Sequence, residues 1–297
     1  MERTTLVLLG LSLIVIAAAI GAGCTNTSAP GRSAAATPAA IQTQETLSAP
    51  ATLAPNAALE AVRESARAAL DRFDRDTTTA AQALGPTDMA GDEARRVLRE
   101  LALASPAVID ATAVSKYGVM LTVEPAEYVS AEGTDIGDQE QVRRLRETQK
   151  PVMSRIFRTV EGVNATDLEH PVFAPSGEFN GSTSLLFNPT VLLTMAVQEA
   201  LAGRTAEVFV IDTDGLMLYD SDAAEVGTYT FSDPMYANNL ELLTIAERMR
   251  TEPEGTGSYT FAAEGSAEPV HKEVAWVSVG LHGTEWRVAA VNATPAA

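Results

Sequence analysis

The 297-residue chain has a single cysteine, Cys24. With no second thiol, it can form neither an intramolecular disulfide nor a thiolate metal cluster. Its three histidines, His170, His271 and His282, are scattered along the sequence. No His-Glu-x-x-His and no Gly-x-Ser-x-Gly occurs, so the common metallopeptidase and serine-hydrolase templates stay unfilled. Basic residues are also scarce, 21 against 39 acidic, for a net charge of −18. An acidic excess of that size repels phosphate backbones, so nucleic acid is not an expected partner. Asp212, Asp214, Asp220 and Asp222 crowd one short stretch, but their spacing does not fit an EF-hand loop. A hairpin turn at Asp214-Gly215 is the simpler reading. No metal or cofactor, and no enzymatic activity, is expected.

What the chain does have is a core: 46% of its residues are hydrophobic. Its length allows one or two domains. The N-terminus sets them apart. Arg3 is followed by the apolar run Leu6–Ile20, then Gly21-Ala22-Gly23 and Cys24. That order resembles a bacterial or archaeal lipoprotein signal, in which residues 1–23 are removed and Cys24 is lipidated. An uncleaved signal anchor is the alternative. Either one holds the chain at the outer face of the cytoplasmic membrane. Residues 24–55 are mostly Ala, Thr, Ser and Pro and cannot bury enough surface to order themselves, so they read as a flexible tether.

Beyond the tether the pattern is α+β. Leu59, Val62, Ala66, Ala69, Phe73, Thr77, Ala80 and Leu84 recur at three-four spacing, which predicts one long helix capped by Asn56 and ended by Gly85-Pro86. The stripe alone favours packing on one domain. A second helix is expected over Glu93–Ala104. Strands are expected at Val108–Val114, Gly118–Val123, Pro151–Val160, His170–Phe173 and Phe179–Phe187. A charged helical turn falls at Asp138–Glu147, and a helix opens at Pro189. The pattern then restarts: a strand at Ala206–Asp212, the hairpin turn, a helix over Leu240–Met249, and strands at Gly257–Phe261, Glu273–Gly280 and Trp286–Val291. Trp276 and Trp286 lie in apolar, strand-like runs and read as core. The boundaries expected are 56–204 for the long helix and first module, 205–292 for the second, and 293–297 for an unstructured tail.

The segment Val208–Tyr229, with Asp212, Gly215 and Gly227 at its turns, resembles the membrane-proximal half of extracytoplasmic double Cache sensor domains. Gly255–Phe261, Val274–Val279 and Gly283–Val288 fit the closing strands of that family. Upstream, Lys150–Ser154, Pro171–Phe173 and Gly181–Leu186 resemble its distal module. The resemblance implies a long N-terminal helix followed by two PAS-like antiparallel-sheet modules, with a small-molecule pocket in the distal one. Amino-acid-binding members carry an Arg-x-Trp-Tyr run and a later Asp. Neither is found here, and Gly181–Phe187 offers only Ser, Thr, Leu and Phe at the later position, so a standard amino-acid ligand is not expected.

In such a module the ligand lies on the open sheet face beneath the loops. Those loops contain Tyr117, Tyr128, Lys150, Ser154 and Arg155. Two cations and a hydroxyl in an otherwise acidic chain suggest a small organic anion, with the tyrosines as an apolar wall. Lys150 and Arg155 as ordinary solvated residues paired with Glu147 or Glu161 is the alternative. Strand alternation allows only one of Ser154 and Arg155 to face the pocket. The expected function is a membrane-anchored sensory or ligand-binding protein that acts through a separate signalling or transport partner. A structural or adhesive surface lipoprotein is the alternative, and sequons at Asn26, Asn164, Asn180 and Asn292 would suit it. A hydrolase ranks last for want of a nucleophile and base.

Overall fold

The structure is a computed structural model, and it describes residues 51–261 and 269–295. The expected signal, Cys24 and nearly all of the tether therefore lie outside the described residues. Among the described residues, no helix is long and apolar enough to cross a membrane.

The first helix, α1, runs over Pro55–Leu84. Its 30 residues give a rod of about 45 Å. Pro55 occupies the first turn, where a missing N–H costs nothing, and Ala54 is the cap residue, without a side-chain bond. Asn56 is therefore inside the helix rather than capping it. Order starts earlier than expected, because Thr52 bridges Thr205 and the Leu53 N–H donates to the Thr205 carbonyl. The buried stripe of α1 includes Leu59, Val62, Leu70, Phe73 and Leu84. It packs on β-strands of both sheets, so the one-domain reading of the stripe gives way to a spine shared by two modules.

Helix α2, Asp92–Ala102, starts on Asp92 and Glu93 and carries Arg99 in its last turn, charges that match the helix dipole. Strands β1 (Val108–Ser115) and β2 (Met120–Glu124) form a hairpin. A 3-10 turn at Ala126–Ala131 and helix α3, Glu140–Thr148, follow. The single strand expected over 151–160 is instead two fragments, β3 (Val152–Met153) and β4 (Phe157–Arg158). Between them Ser154 is buried, its N–H donating to the Asp167 carbonyl and its hydroxyl bonding to the backbone of Asp167 and Arg155. Strand β5 spans Asn164–Phe173, beginning six residues before the expected start at His170, and β6 spans Phe179–Phe187. Helix α4, Pro189–Leu201, is capped by the Asn188 side chain.

The first sheet has the order β2-β1-β6-β5-β3, with β4 also on β5. The second contains β7 (Glu207–Asp212), β8 (Met217–Asp220), β9 (Glu254–Phe261), β10 (Val270–Leu281) and β11 (Thr284–Pro295), in the order β8-β7-β11-β10-β9. Helix α5, Leu240–Thr251, lies against it. Strand β11 continues through Asn292 to Pro295, paired with β10, so most of the expected tail is sheet. One face of each sheet joins α1 in a continuous core: Ala111, Leu168, Leu185 and Phe187 from the first, Val208, Val210, Trp286 and Val288 from the second. The opposite faces are the ones free to build sites.

Candidate ligand-binding faces

Alternation along the strands puts a polar set on the outer face of the first sheet. Thr112 of β1 is paired with Ser184 of β6, and Ser184 with Glu169 of β5. One step along, Leu186 is paired with both Asp110 and Asp167. Asp110, Asp167 and Glu169 are all buried, at 2%, 3% and 0% exposure. Thr112 donates to Asp110 Oδ1 at 3.0 Å and Ser184 to Asp167 Oδ1 at 2.6 Å. Gln141, on α3, reaches Asp167 Oδ2 at 3.4 Å. Asp110 Oδ2, Glu161 Oε1 and both carboxylate oxygens of Glu169 are buried with no partner among the described residues.

Asp110, Asp167 and Glu169 are held away from their ordinary titration. Burial, then Glu161, pushes Asp110 well up. Burial raises Asp167, and burial followed by its neighbour Asp167 pushes Glu169 well up. Glu124 differs in its partners. It too is buried, but it receives Arg95 and Arg99 at 3.2 and 3.0 Å. No such cation reaches the acidic face among the described residues. Above that face Asp110, Asp167 and Ser184, together with Met120, Phe157 and Glu161, enclose a space of about 20 Å³. That is room for one water or one ammonium group.

The residues predicted for an anion site do not assemble there. Tyr117 is 69% exposed at the β1–β2 turn. Lys150 is exposed, because Gln149 takes a left-handed conformation (φ 52°) that ends α3 and turns the chain outward. Arg155 is exposed and pairs with Asp214 in the β7–β8 turn of the second module. Ser154 is buried, but its hydroxyl accepts from the Asp167 N–H and donates to the Arg155 carbonyl. Tyr128 packs on the small cluster of Val114, Met120 and Ile136. Burial, then Glu127, Asp110 and Glu161, raises its phenol. On this face a carboxylate ligand would meet three or four carboxyl groups and, among the described residues, no cation.

The second sheet has a larger opening. Between its outer face and α5 lies a cavity of about 480 Å³. Phe209, Ile211 and Met217 form its floor and Leu242, Ile245 and Met249 its roof, with Glu207, Asp220, Glu225 and Lys272 among its polar walls. The sequence reading looked only to the first module and missed it.

Two of the three histidines also come together. His170 Nε2 and His282 Nε2 both contact Asp74 Oδ1 of α1, at 2.8 and 2.5 Å. Donor atoms of the three lie within 4.8 Å of one another, a set able to hold a metal ion. His282 reaches it from the β10–β11 turn, where His282 and Gly283 both have positive φ.

A long helix carrying two antiparallel sheets, the first with a buried polar face and the second with a cavity under α5, is the double Cache fold. Residues 68–189 match the family described as HK/GC/Chemotaxis protein-like, sensor domain. An extracellular ligand-binding receptor from Desulfohalobium retbaense is 33% identical over 79% of this chain, with a TM-score of 0.65. This chain spans 39% of that receptor's length. The ligand-binding domain of the Pseudomonas aeruginosa amino-acid chemoreceptor PctB, solved with L-Gln, has a TM-score of 0.54 at 13% identity, over 80% of this chain and 88% of that one. The sensory domain of the Campylobacter jejuni chemoreceptor Tlp3, solved with isoleucine, has a TM-score of 0.58 at 10% identity, over 81% and 91%. At those identities the last two establish the fold alone. A comparison with curated proteins gave no match.

Proposed function

We propose that this chain is a ligand-binding sensor held at the outer face of the cytoplasmic membrane, by a lipidated Cys24 or an uncleaved signal anchor, and acting through a separate partner. Its ligand is a small molecule carrying an ammonium group, bound on the acidic face of the first sheet. The observation that carries this reading is the set of buried carboxyl oxygens at Asp110, Glu161 and Glu169 without partners. A buried carboxylate is costly without a counter-charge. Burial shifts Asp110 and Glu169 upward, toward their protonated forms, and perturbed carboxyl groups at one face are a mark of functional sites. An ammonium supplies both the charge and several N–H donors in the space available. The named ligands of the PctB and Tlp3 sensory domains, L-Gln and isoleucine, both carry such a group.

The test is a thermal-shift and calorimetric screen of small amines against matched carboxylic acids lacking the amine. Amines should raise the melting point by mass action, and Asp167→Asn should remove the shift. If no amine binds at millimolar excess, or acids bind as well as amines, the reading fails; a complete lack of binders would favour a displayed structural role instead.

A further inference from the structure

The cavity under α5 is separate from the acidic face of the first sheet and is built differently. Protein interiors are close-packed, with few voids larger than a water. A space of about 480 Å³ is instead the size of a small-molecule site. Alternation along β7 explains its floor: Val208 and Val210 face the core with α1, while Phe209 and Ile211 face the other way. Helix α5 closes the top with Leu242, Ile245 and Met249.

The charges around the chamber do not balance. Lys272, the one lining cation among the described residues, is bonded to Glu207 at 2.5 Å. Glu225 accepts from the Tyr236 hydroxyl at 2.7 Å. Asp220 receives only the backbone N–H of Asp222, at 2.7 Å, among the described residues. Thr230, also on the wall, has a buried hydroxyl without a partner. A carboxyl group and a hydroxyl thus stand, beside the paired Glu207 and Lys272 and the bonded Glu225, at one side of a chamber whose floor and roof are aromatic and aliphatic.

We infer that this cavity is a second ligand site, selective for an organic cation with an apolar body, with Asp220 as the counter-charge. The apolar body lies between Phe209 and the α5 side chains, and the cationic end meets Asp220, with Thr230 available as a hydrogen-bond partner. Burial, the largest influence, pushes Asp220 up to about 7. The site therefore works best above neutral pH, where Asp220 is ionised before the ligand arrives.

Calorimetry on the whole chain in detergent at pH 8 tests this, with phenethylamine as probe and phenylacetate as its anionic control. Phenethylamine should bind saturably and phenylacetate should not. Asp220→Asn removes the counter-charge, and Ala246→Phe fills the chamber from α5, where Ala246 lines it. Each should weaken phenethylamine binding by about tenfold or more. All titrations are run in an Asp110→Asn background, which removes the amine site proposed for the first module, so the phenethylamine signal read is that of the chamber alone. The inference is overturned if phenethylamine does not bind at millimolar concentration, if phenylacetate binds equally, or if binding survives both Asp220→Asn and Ala246→Phe. A Tm of the filled variant close to the parent's confirms that lost binding is not lost folding. Should Ala246→Phe fail to fold, Asp220→Asn alone decides.

Discussion

His282 Nε2 meets Asp74 Oδ1 at 2.5 Å, which ties the β10–β11 turn of the second module to the middle of helix α1. The same carboxylate oxygen takes His170 Nε2 of the first module at 2.8 Å. One side chain on the spine therefore serves both modules. Burial raises the Asp74 pKa, but the bonds and charges of the two imidazoles outweigh it and hold the carboxyl below its ordinary value.

Asp74→Ala leaves both imidazoles without their acceptor, and His170 is 5% exposed. A buried donor stripped of its partner costs about 1–3 kcal/mol. Urea denaturation of the variant should show a lowered midpoint by about that amount. A change within the scatter of surface substitutions, about 0.5 kcal/mol, would mean that the modules are held by the apolar core alone.

Exposed cations should matter little for the ligand. Arg155 pairs with Asp214 where both side chains are about half exposed, at 55% and 48%. Such pairs contribute about 0–1 kcal/mol. Lys150→Ala and Arg155→Ala should leave amine affinity unchanged, while Asp110→Asn and Asp167→Asn abolish it. Calorimetry on the four variants checks this, and a large loss from Lys150→Ala would restore the anion reading of that loop.

Much of this fold was legible because it rests on local signals. The stripe from Leu59 to Leu84 announced α1, and Asp214-Gly215 announced the β7–β8 turn, where Gly215 has φ of 92°. The acidic face was not legible, for a specific reason. Asn164–Glu169 mixes polar and apolar residues, so β5 was expected to begin only at His170, and Asp167 and Glu169 fell outside it. Read as a strand, Asp167-x-Glu169 on β5, Asp110-x-Thr112 on β1 and Ser182-x-Ser184 on β6 place polar groups on one face by period two. Which face they share depends on cross-strand register, and register is a tertiary fact. The chamber under α5 was invisible for a related reason: its apolar lining reads in sequence as ordinary core.

The acidic face should cost stability at neutral pH. Burial and Asp167 push Glu169 well above the ordinary glutamate value of about 4.3. The folded state then binds more protons than the unfolded state at pH values above that ordinary value. Stability from this group is complete below it and is lost as pH rises toward the folded pKa. Glu169→Gln is neutral at every pH and should melt higher than the parent at pH 7.5, with the gap closing near pH 4. An unchanged gap across that range would show that the carboxyl group is not the source.

Ligand entry should also move protons. In the empty site, Asp110 and Glu169 are shifted upward by burial and by neighbouring carboxyl groups. An ammonium placed among them stabilises their ionised forms, so their pKa values fall and protons leave as the ligand binds. Calorimetric enthalpy then depends on the buffer that takes up those protons. Titrations of one amine at pH 7 in phosphate and in Tris should give enthalpies that differ in proportion to the buffers' ionisation enthalpies, with release of protons as the sign. Glu169→Gln, which removes one of the two shifted groups, should reduce the number released. Equal enthalpies in the two buffers would mean that the carboxyl groups are already ionised before binding, and the counter-charge for the empty face would then have to come from elsewhere.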